Sequence, residues 1–479
     1  MLLWRVHNLM SDSAQSVTVD VLVLGAGPGG YVAAIRAAQL GKSVAIVERE
    51  YWGGVCLNVG CIPTKVLLRH AEVAQITSKH AAAFGLPEGI TADFSAAHMR
   101  SRAVADGRVK GVHYLMKKNG IQEFQGSGRF VDDHTLVVAT ESSEETTISF
   151  HNAIVATGSD IRTLPGVELG SKITGYVEMV TAEQVPATLT IIGAGPIGIE
   201  LACVAASFGS HVTVIEYQDR IIPLEDEESS ADLAKALKKL GITIITGAQV
   251  QGAVETATGV DVSFSKDNET SVVSADHVMV SVGFVPRTSG FGLENTSVEL
   301  GVRGEIAVDT QLRTSAPHIF AIGDVTAKLA LAHVAEAQGV LAAEVIADIT
   351  NREMGDYRMM PRAVYSLPQV ASFGLTEAQA REEIGDVIVA KFPFVANGKA
   401  HAVGETHGFI KLIASSKTRA LVGAHMVGPD VSELLPELTL AAQEQVIIED
   451  LVLNVHAHPT LSESLQEAFH GLAGHMINF

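Results

Sequence analysis

Cys56 and Cys61 stand with four residues between them in Gly53-Gly54-Val55-Cys56-Leu57-Asn58-Val59-Gly60-Cys61-Ile62-Pro63-Thr64-Lys65. Two thiols this close can cycle between dithiol and disulfide by exchange with a substrate sulfur. On a regular α-helix a five-residue step turns ~140° and rises ~7.5 Å, so the sulfurs bridge only if the segment is looped or distorted, as Asn58 and Gly60 allow. Closing so short a loop stabilises a fold by only roughly 2 kcal/mol on the chain-entropy model, a small gain for a chain able to build its own core. The spacing therefore suits a reversible disulfide better than a brace, against the plainer alternative of two reduced core thiols. The third cysteine, Cys203, lies in the apolar run Ile199–Phe208 and reads as a small core residue.

A second pair suited to thiol chemistry, His458 and Glu463, lies in His456-Ala457-His458-Pro459-Thr460-Leu461-Ser462-Glu463. A carboxylate hydrogen-bonded to one imidazole nitrogen fixes the tautomer and raises the basicity of the other, as removal of a thiol proton requires. His456 reads as structural.

The elements that must position these groups begin with an internal repeat. Gly25-Ala26-Gly27-Pro28-Gly29-Gly30 recurs as Gly193-Ala194-Gly195-Pro196-Ile197-Gly198, and the same offset of 168 maps Gly41 onto Gly209 and Glu48 onto Glu216. Each copy has an apolar strand before the glycines (Val19–Leu24; Leu189–Ile192), an alanine-rich helix after them, and a second strand ending in the acid. Two complete βαβ units follow. Their glycines permit a tight turn and close approach of a pyrophosphate, the helix N-terminus favours its charge, and the carboxylate accepts from ribose hydroxyls.

Further along, Ala156-Thr157-Gly158-Ser159 follows the strand Asn152–Val155 and reads as the exit from a first domain. The strand His318–Ile322 ends at Gly323-Asp324, before a helical stretch from Ala330 to Ile349. From Pro361 the pattern changes to strands Val387–Phe392, Phe409–Ala414 and Leu421–Val427 and a helical segment Val431–Gln445, which together read as a separate α+β module. The run Glu225-Asp226-Glu227-Glu228 reads as a solvated helix start favourable to the helix dipole, not as a metal site.

The 479 residues allow about two to four domains, and 47% hydrophobic residues supply packed cores. A net charge of −20 argues against nucleic acid and anionic membrane surfaces as partners. Small molecules or other proteins fit better. Three cysteines cannot make a secreted disulfide scaffold, the opening residues are too short an apolar stretch for a signal peptide, and no long uncharged apolar run follows. The reading is a soluble cytoplasmic protein in a reducing compartment, with residues 1–15 as a disordered extension and Met10 as an alternative start.

Taken together, the residues resemble the dihydrolipoamide dehydrogenases within the FAD-dependent pyridine nucleotide disulfide oxidoreductases. The resemblance spans nearly the whole chain after the first 15 or so residues. It is most specific in Gly53 to Pro63, in Ala321-Ile322-Gly323-Asp324, and from His458-Pro459-Thr460 to Glu463. It implies an α/β fold of two Rossmann-like dinucleotide-binding domains plus a C-terminal α+β dimerisation domain. The expected boundaries are 16–158 for an FAD-binding domain, 159–282 for an NAD-binding domain, 283–355 for a return segment completing the FAD domain as a central region, and 356–479 for a dimer-interface domain.

The resemblance further implies FAD on Gly25, Gly27, Gly30, Glu48, Lys65, Gly128, Thr157, Gly158, Ser159, Asp324 and Ala332. It implies NAD on Gly193, Gly195, Gly198, Glu216, Val250 and Gly283, and no metal. Lys65 and Glu200 are expected to form an ion pair beside the flavin. The implied reaction oxidises protein-bound dihydrolipoyl groups through a Cys56–Cys61 disulfide and FAD, with NAD⁺ reduced to NADH, as the E3 component of 2-oxoacid dehydrogenase complexes. Implied partners are a second copy of the chain, the lipoyl domains and acyltransferase core of those complexes, and a glycine cleavage lipoyl carrier. His458 and Glu463 are expected to act on the other subunit's disulfide, with a cis peptide before Pro459. Two departures stand out. Thr64 replaces a serine frequent in the family, and Gly283-Phe284-Val285-Pro286-Arg287 replaces a stretch commonly carrying arginine and asparagine. A glutathione or mercuric reductase fits less well, because Glu216 would repel a 2′-phosphate and the C-terminal Gly474–Phe479 has no cysteine. A non-catalytic flavoprotein scaffold would be favoured by loss of the cysteine pair or of His458, and both are present.

Overall fold

The computed structural model describes residues 15–79, 81–87, 89–140 and 144–479. The expected N-terminal extension and the alternative start at Met10 lie outside the described residues, except Gln15, which opens the first strand. The chain divides into two compact units, one made of residues 1–56, 108–160 and 285–354 and the other of residues 57–107, 161–284 and 355–479.

The first unit is organised on a seven-stranded sheet. Its parallel part runs in the order Gln122–Gln125, Val44–Glu48, Gln15–Leu24, Glu145–Val155, Ile319–Ala321. Strands Ser127–Asp132 and Thr135–Ala139 extend it antiparallel from the first half of Glu145–Val155. Val21–Leu24 and Val44–Val47 are buried without alternation, as expected of parallel strands covered on both faces. The helix Pro28–Gln39 packs against the helix Ala332–Ile346. Their approach depends on two glycines: a Cβ on Gly339 would lie 2.5 Å from the Gly29 carbonyl oxygen, and one on Gly29 would lie 2.9 Å from the Ala335 carbonyl oxygen. Backbone is in the way on both sides, so the helices would have to separate. Gly339→Ala is therefore expected to cost about 1–3 kcal/mol, read as a lower denaturation midpoint. An unchanged midpoint would show that the crossing tolerates the methyl.

The second unit carries a parallel sheet in the order Thr243–Ile245, His211–Ile215, Thr188–Ile192, His277–Val280, Ile173–Thr174. A three-stranded antiparallel sheet, Gln249–Glu255, Val260–Lys266 and Glu269–Ala275, accompanies it. The C-terminal part of this unit is a five-stranded antiparallel sheet, Arg362–Val364, Gln369–Gly374, Leu421–Gly428, Phe409–Ser415 and Val387–Pro393. The helix Glu463–Leu472 packs on its last two strands and buries Phe469 in the core that holds Phe392 and Phe394. The helical segment expected over Val431–Gln445 begins as a 3₁₀ turn, Val431–Leu434, and becomes α-helical over Leu435–Gln443, with Pro436 in the first turn where its missing N–H costs nothing.

One expectation is corrected. The acidic run is not simply a solvated helix start, because Glu225 is 6% and Asp226 is 3% exposed. Asp226 caps the helix Glu227–Leu240 by accepting from the Glu228 amide. It also meets Lys411, itself buried, whose Nζ lies 3.1 Å from Asp226, 2.8 Å from Glu228 and 2.7 Å from Glu377. Burial disfavours charge on Lys411, but the three carboxylates outweigh it and raise its pKa. A buried ion persists only when paired in this way, and the pairing crosses 185 residues of sequence.

Candidate functional site

The segment between the cysteines is not one helix. Gly54–Asn58 forms a short helix carrying Cys56, the chain breaks at Val59-Gly60, and a 19-residue helix begins at Cys61. Two contacts hold the break: the Thr64 hydroxyl and amide both donate to the Gly60 carbonyl at 2.6 and 3.0 Å, and Arg102 donates to the Asn58 carbonyl at 2.8 Å. Thr64 thus uses the hydroxyl that it shares with serine. Cys56 is buried and Cys61 is exposed.

Cys61 opens its helix, where unsatisfied amides favour negative charge, and Lys65 stands one turn on. The Lys65 ammonium bonds Glu200 at 2.8 Å and lies 4.4 Å from the centre of the Tyr365 ring. Burial alone would lower the lysine pKa, but Glu200, and to a lesser extent Cys61 and Tyr365, bring it above the ordinary value. Glu200 is 4% exposed, and its second oxygen accepts from the Tyr365 amide at 2.9 Å. A fixed positive charge beside Cys61 supports a thiolate there. Cys203, on the same helix as Glu200, is fully buried, and burial pushes its thiol up to about 12, which leaves it an inert core residue.

The two glycine loops are built alike. Gly25 and Gly193 have φ of +101° and +104°, and an added Cβ would lie 2.3 Å from the carbonyl oxygen of Ala156 or Ser281. Gly30 and Gly198 would place a Cβ 1.9 and 2.3 Å from the carbonyl of the first glycine in their own loop. The middle glycines differ: Gly195 has nothing within 4 Å of an added Cβ, and Gly27 only the Gly54 Cα at 4.0 Å. That open backbone is where a pyrophosphate can approach, so both loops fit a dinucleotide. One oxygen of Glu48 accepts from the Ala26 amide at 2.7 Å, and one of Glu216 from the Ala194 amide at 2.6 Å. The other oxygens accept from Glu50 and Tyr51, and from Gln218, respectively. Each carboxylate is held rigidly and keeps lone pairs for ribose hydroxyls.

Within the first unit, the Ser159 hydroxyl donates to Asp324 at 2.7 Å. Burial pushes the Asp324 carboxyl up, an effect that the Ser159 bond partly offsets. The Thr157 hydroxyl donates to the Arg287 carbonyl, and Arg287 bonds Asp160. Gly158 has φ of +75°, and Ala332 opens its helix. Gly128 is explained by packing, since a Cβ there would meet Leu24 at 2.7 Å and Leu136 at 3.1 Å. In the second unit Val250 lies beside a bulge in its strand and packs on the domain core, while Gly283 has φ of +103° and open space around it.

His458 Nδ1 lies 2.8 Å from Glu463, whose other oxygen accepts from the Thr460 amide at 2.8 Å. Burial raises the Glu463 pKa, but the Thr460 amide and His458 outweigh it and bring it below the usual carboxylate range. With Nδ1 as donor to a carboxylate, Nε2 is the basic nitrogen, and the ring is 78% exposed. The His458–Pro459 peptide is cis. His456 is buried against Glu437 at 3.1 Å, in keeping with a structural role. Tyr365 and Arg102 were not identifiable from sequence: Tyr365 meets Glu200 across 165 residues, and neither belongs to a motif. Among the described residues no cluster of three or more His, Cys, Asp or Glu side chains could hold a metal, and no helix is long and apolar enough to cross a membrane.

The family model for pyridine nucleotide-disulphide oxidoreductases matches residues 19–339, and that for the dimerisation domain of the same family matches residues 360–469. A dihydrolipoyl dehydrogenase of Mycobacterium tuberculosis is 53% identical over 460 residues, covering 96% of this chain and 99% of the relative. One from Corynebacterium glutamicum is 51% identical over 464 residues, again covering 96% and 99%. A crystal structure of LpdA from M. tuberculosis matches with a TM-score of 0.88 at 26% identity, covering 95% of this chain and 99% of that one.

Proposed function

Because the chain belongs to the pyridine nucleotide-disulphide oxidoreductase family, we propose that it is a dihydrolipoyl dehydrogenase: it oxidises protein-bound dihydrolipoyl groups and reduces NAD⁺ to NADH. The observation that carries the reading is the His458–Glu463 hydrogen bond, which leaves Nε2 as a base for a substrate that must lose thiol protons. The substrate thiolate attacks one sulfur of an oxidised Cys56–Cys61 pair, forming a mixed disulfide at Cys56 and releasing Cys61 as a thiolate. The second substrate thiol, deprotonated in turn, displaces Cys56 and leaves as the lipoyl disulfide. Lys65, held by Glu200, stabilises the charge on Cys61. The first glycine loop with Glu48, Lys65, Gly128, Thr157, Gly158, Ser159, Asp324 and Ala332 would hold FAD, which when bound would supply the two-electron chemistry that links the dithiol to NAD⁺. NAD⁺ is held by Gly193, Gly195, Gly198, Glu216, Val250 and Gly283.

The proposed domains are 16–158 for FAD, 159–282 for NAD, 283–355 completing the FAD domain, and 356–479 at the interface of a homodimer in which His458 of one subunit serves the cysteine pair of the other. The proposed setting is the cytoplasm, with lipoyl domains and acyltransferase cores of 2-oxoacid dehydrogenase complexes as partners. The negative net charge and the reducing state a dithiol enzyme needs support it. Incubating the FAD-loaded protein with reduced lipoyl domains and NAD⁺, and following NADH, tests the activity directly.

Cofactor choice follows from Glu216. Its carboxylate, fixed by Ala194 and Gln218, repels a 2′-phosphate, so kcat/KM for NAD⁺ is expected to exceed that for NADP⁺ by at least about a hundredfold. Glu216→Ala should narrow the ratio. Equal values in the unaltered protein would overturn the assignment of Glu216.

A further inference from the structure

The turn that follows Glu216 is strained. Ile222 has φ of +38°, and a β-branched residue takes a positive φ only where its surroundings force it to. The backbone around it is tied at both ends. The Ile222 amide donates to the Ala194 carbonyl at 2.8 Å, inside the second glycine loop. Ala194 is also the residue whose amide donates to Glu216, so one residue joins the turn to the carboxylate. The Ile222 carbonyl accepts from the Glu225 amide at 2.9 Å, and the Ile221 carbonyl accepts from the Ser230 hydroxyl at 2.7 Å. Both isoleucines are buried in the core that holds Leu233 and Leu237.

What grips the far end of the turn comes from the C-terminal sheet. Asp226 closes the turn, and its two carboxylate oxygens lie 3.1 and 3.3 Å from the Lys411 ammonium. The second oxygen also accepts from the Glu377 amide at 3.3 Å. Glu225 meets Arg362, again at 3.3 Å. The two cations belong to one row across the sheet, in which Arg362 lies opposite Ser372, Ser372 opposite His425 and His425 opposite Lys411, so all four share a face. Lys411 is 3% exposed, which keeps water from weakening its hold on Asp226. A strained turn persists only while its ends are held, and here one end is the glycine loop and the other is a buried lysine far along the chain. We infer that Lys411 is a positioning residue for NAD⁺: through Asp226 and the strained turn at Ile222 it holds the second glycine loop and Glu216 in their binding geometry. This rests on the proposed function and extends it to a residue outside both glycine motifs and the dithiol.

A released turn leaves the loop competent for only part of the time, and the apparent Kd rises by the inverse of that fraction. In the FAD-loaded protein, Lys411→Met is expected to raise the calorimetric Kd and the KM for NAD⁺ about fivefold to tenfold, with kcat and the KM for reduced lipoyl domains unchanged within about twofold. Asp226→Asn keeps an oxygen for the helix cap but loses the charge that faces Lys411, and should raise both NAD⁺ constants about twofold to threefold. Lys391→Met is the control. Lys391 lies opposite Lys411 in the same row but pairs with Glu228, at 2.7 Å, so its loss should leave NAD⁺ affinity as it is. FAD content and denaturation midpoint identify folded variants, and Asp226→Asn carries the test where Lys411→Met fails that check. A lower kcat at unchanged KM, which loss of folded protein alone produces, would overturn the inference. So would unchanged NAD⁺ affinity in the folded variants, or an equal change in Lys391→Met. If the unaltered protein bound no NAD⁺, the proposed function would fall and the inference with it, whereas binding that these variants leave unchanged removes the inference alone.

Discussion

Cys56→Ser is expected to abolish oxidation of dihydrolipoamide, with a loss of at least about a thousandfold in kcat, while leaving a long-wavelength absorbance band in the holoprotein that depends on Cys61. The two effects separate because the sulfurs have different surroundings. Cys61 opens a 19-residue helix with Lys65 one turn away, the environment that favours a thiolate. Cys56 sits on the short helix Gly54–Asn58 before the break, not at the N-terminus of the long helix that Cys61 opens. Cys61→Ser should lose both turnover and the band. If Cys61→Ser kept the band and Cys56→Ser removed it, the roles would be reversed. The exposure of Cys61 in the single chain makes that comparison necessary, since exposure alone would nominate Cys61 for contact with substrate.

The second large effect concerns His458. Replacement by Gln removes the base and is expected to lower kcat by about a hundredfold to ten-thousandfold. Glu463→Gln should cost less, because the ring remains while only its orientation and basicity suffer. The proposed homodimer makes a sharper forecast. Mixing inactive His458→Gln subunits with inactive Cys56→Ser subunits produces heterodimers with one intact composite site and one doubly damaged site. Random reassortment should restore about one quarter of the unaltered activity. Verified heterodimers with no recovery would place the base and the dithiol in the same subunit.

Much of this was legible in the sequence because it is local. The offset of 168 residues marked both glycine loops and both acids, and the structure builds Glu48 and Glu216 into their loops in the same way. Asn58 and Gly60 allowed the loop or distortion that a bridge between the two sulfurs requires, and the chain breaks at Val59-Gly60. What escaped depends on distant partners. The acidic run at Glu225–Glu228 looks solvated until Lys411 is folded against it, and nothing near Lys411 in sequence announces an ion network. Gly339 looks like a weak point in a helix until its contact with Gly29 is known. Tyr365 touches both members of the Lys65–Glu200 pair without belonging to either motif.

The most direct test of the central claim is the initial rate of NADH formation when the FAD-loaded protein receives reduced lipoyl domains and NAD⁺, set beside its NADPH-dependent reduction of glutathione disulfide. The expected result is rapid, NAD⁺-dependent oxidation of the lipoyl dithiol that disappears in Cys56→Ser, with negligible turnover of glutathione disulfide. Turnover of glutathione disulfide with NADPH, and none of the lipoyl dithiol with NAD⁺, would contradict it.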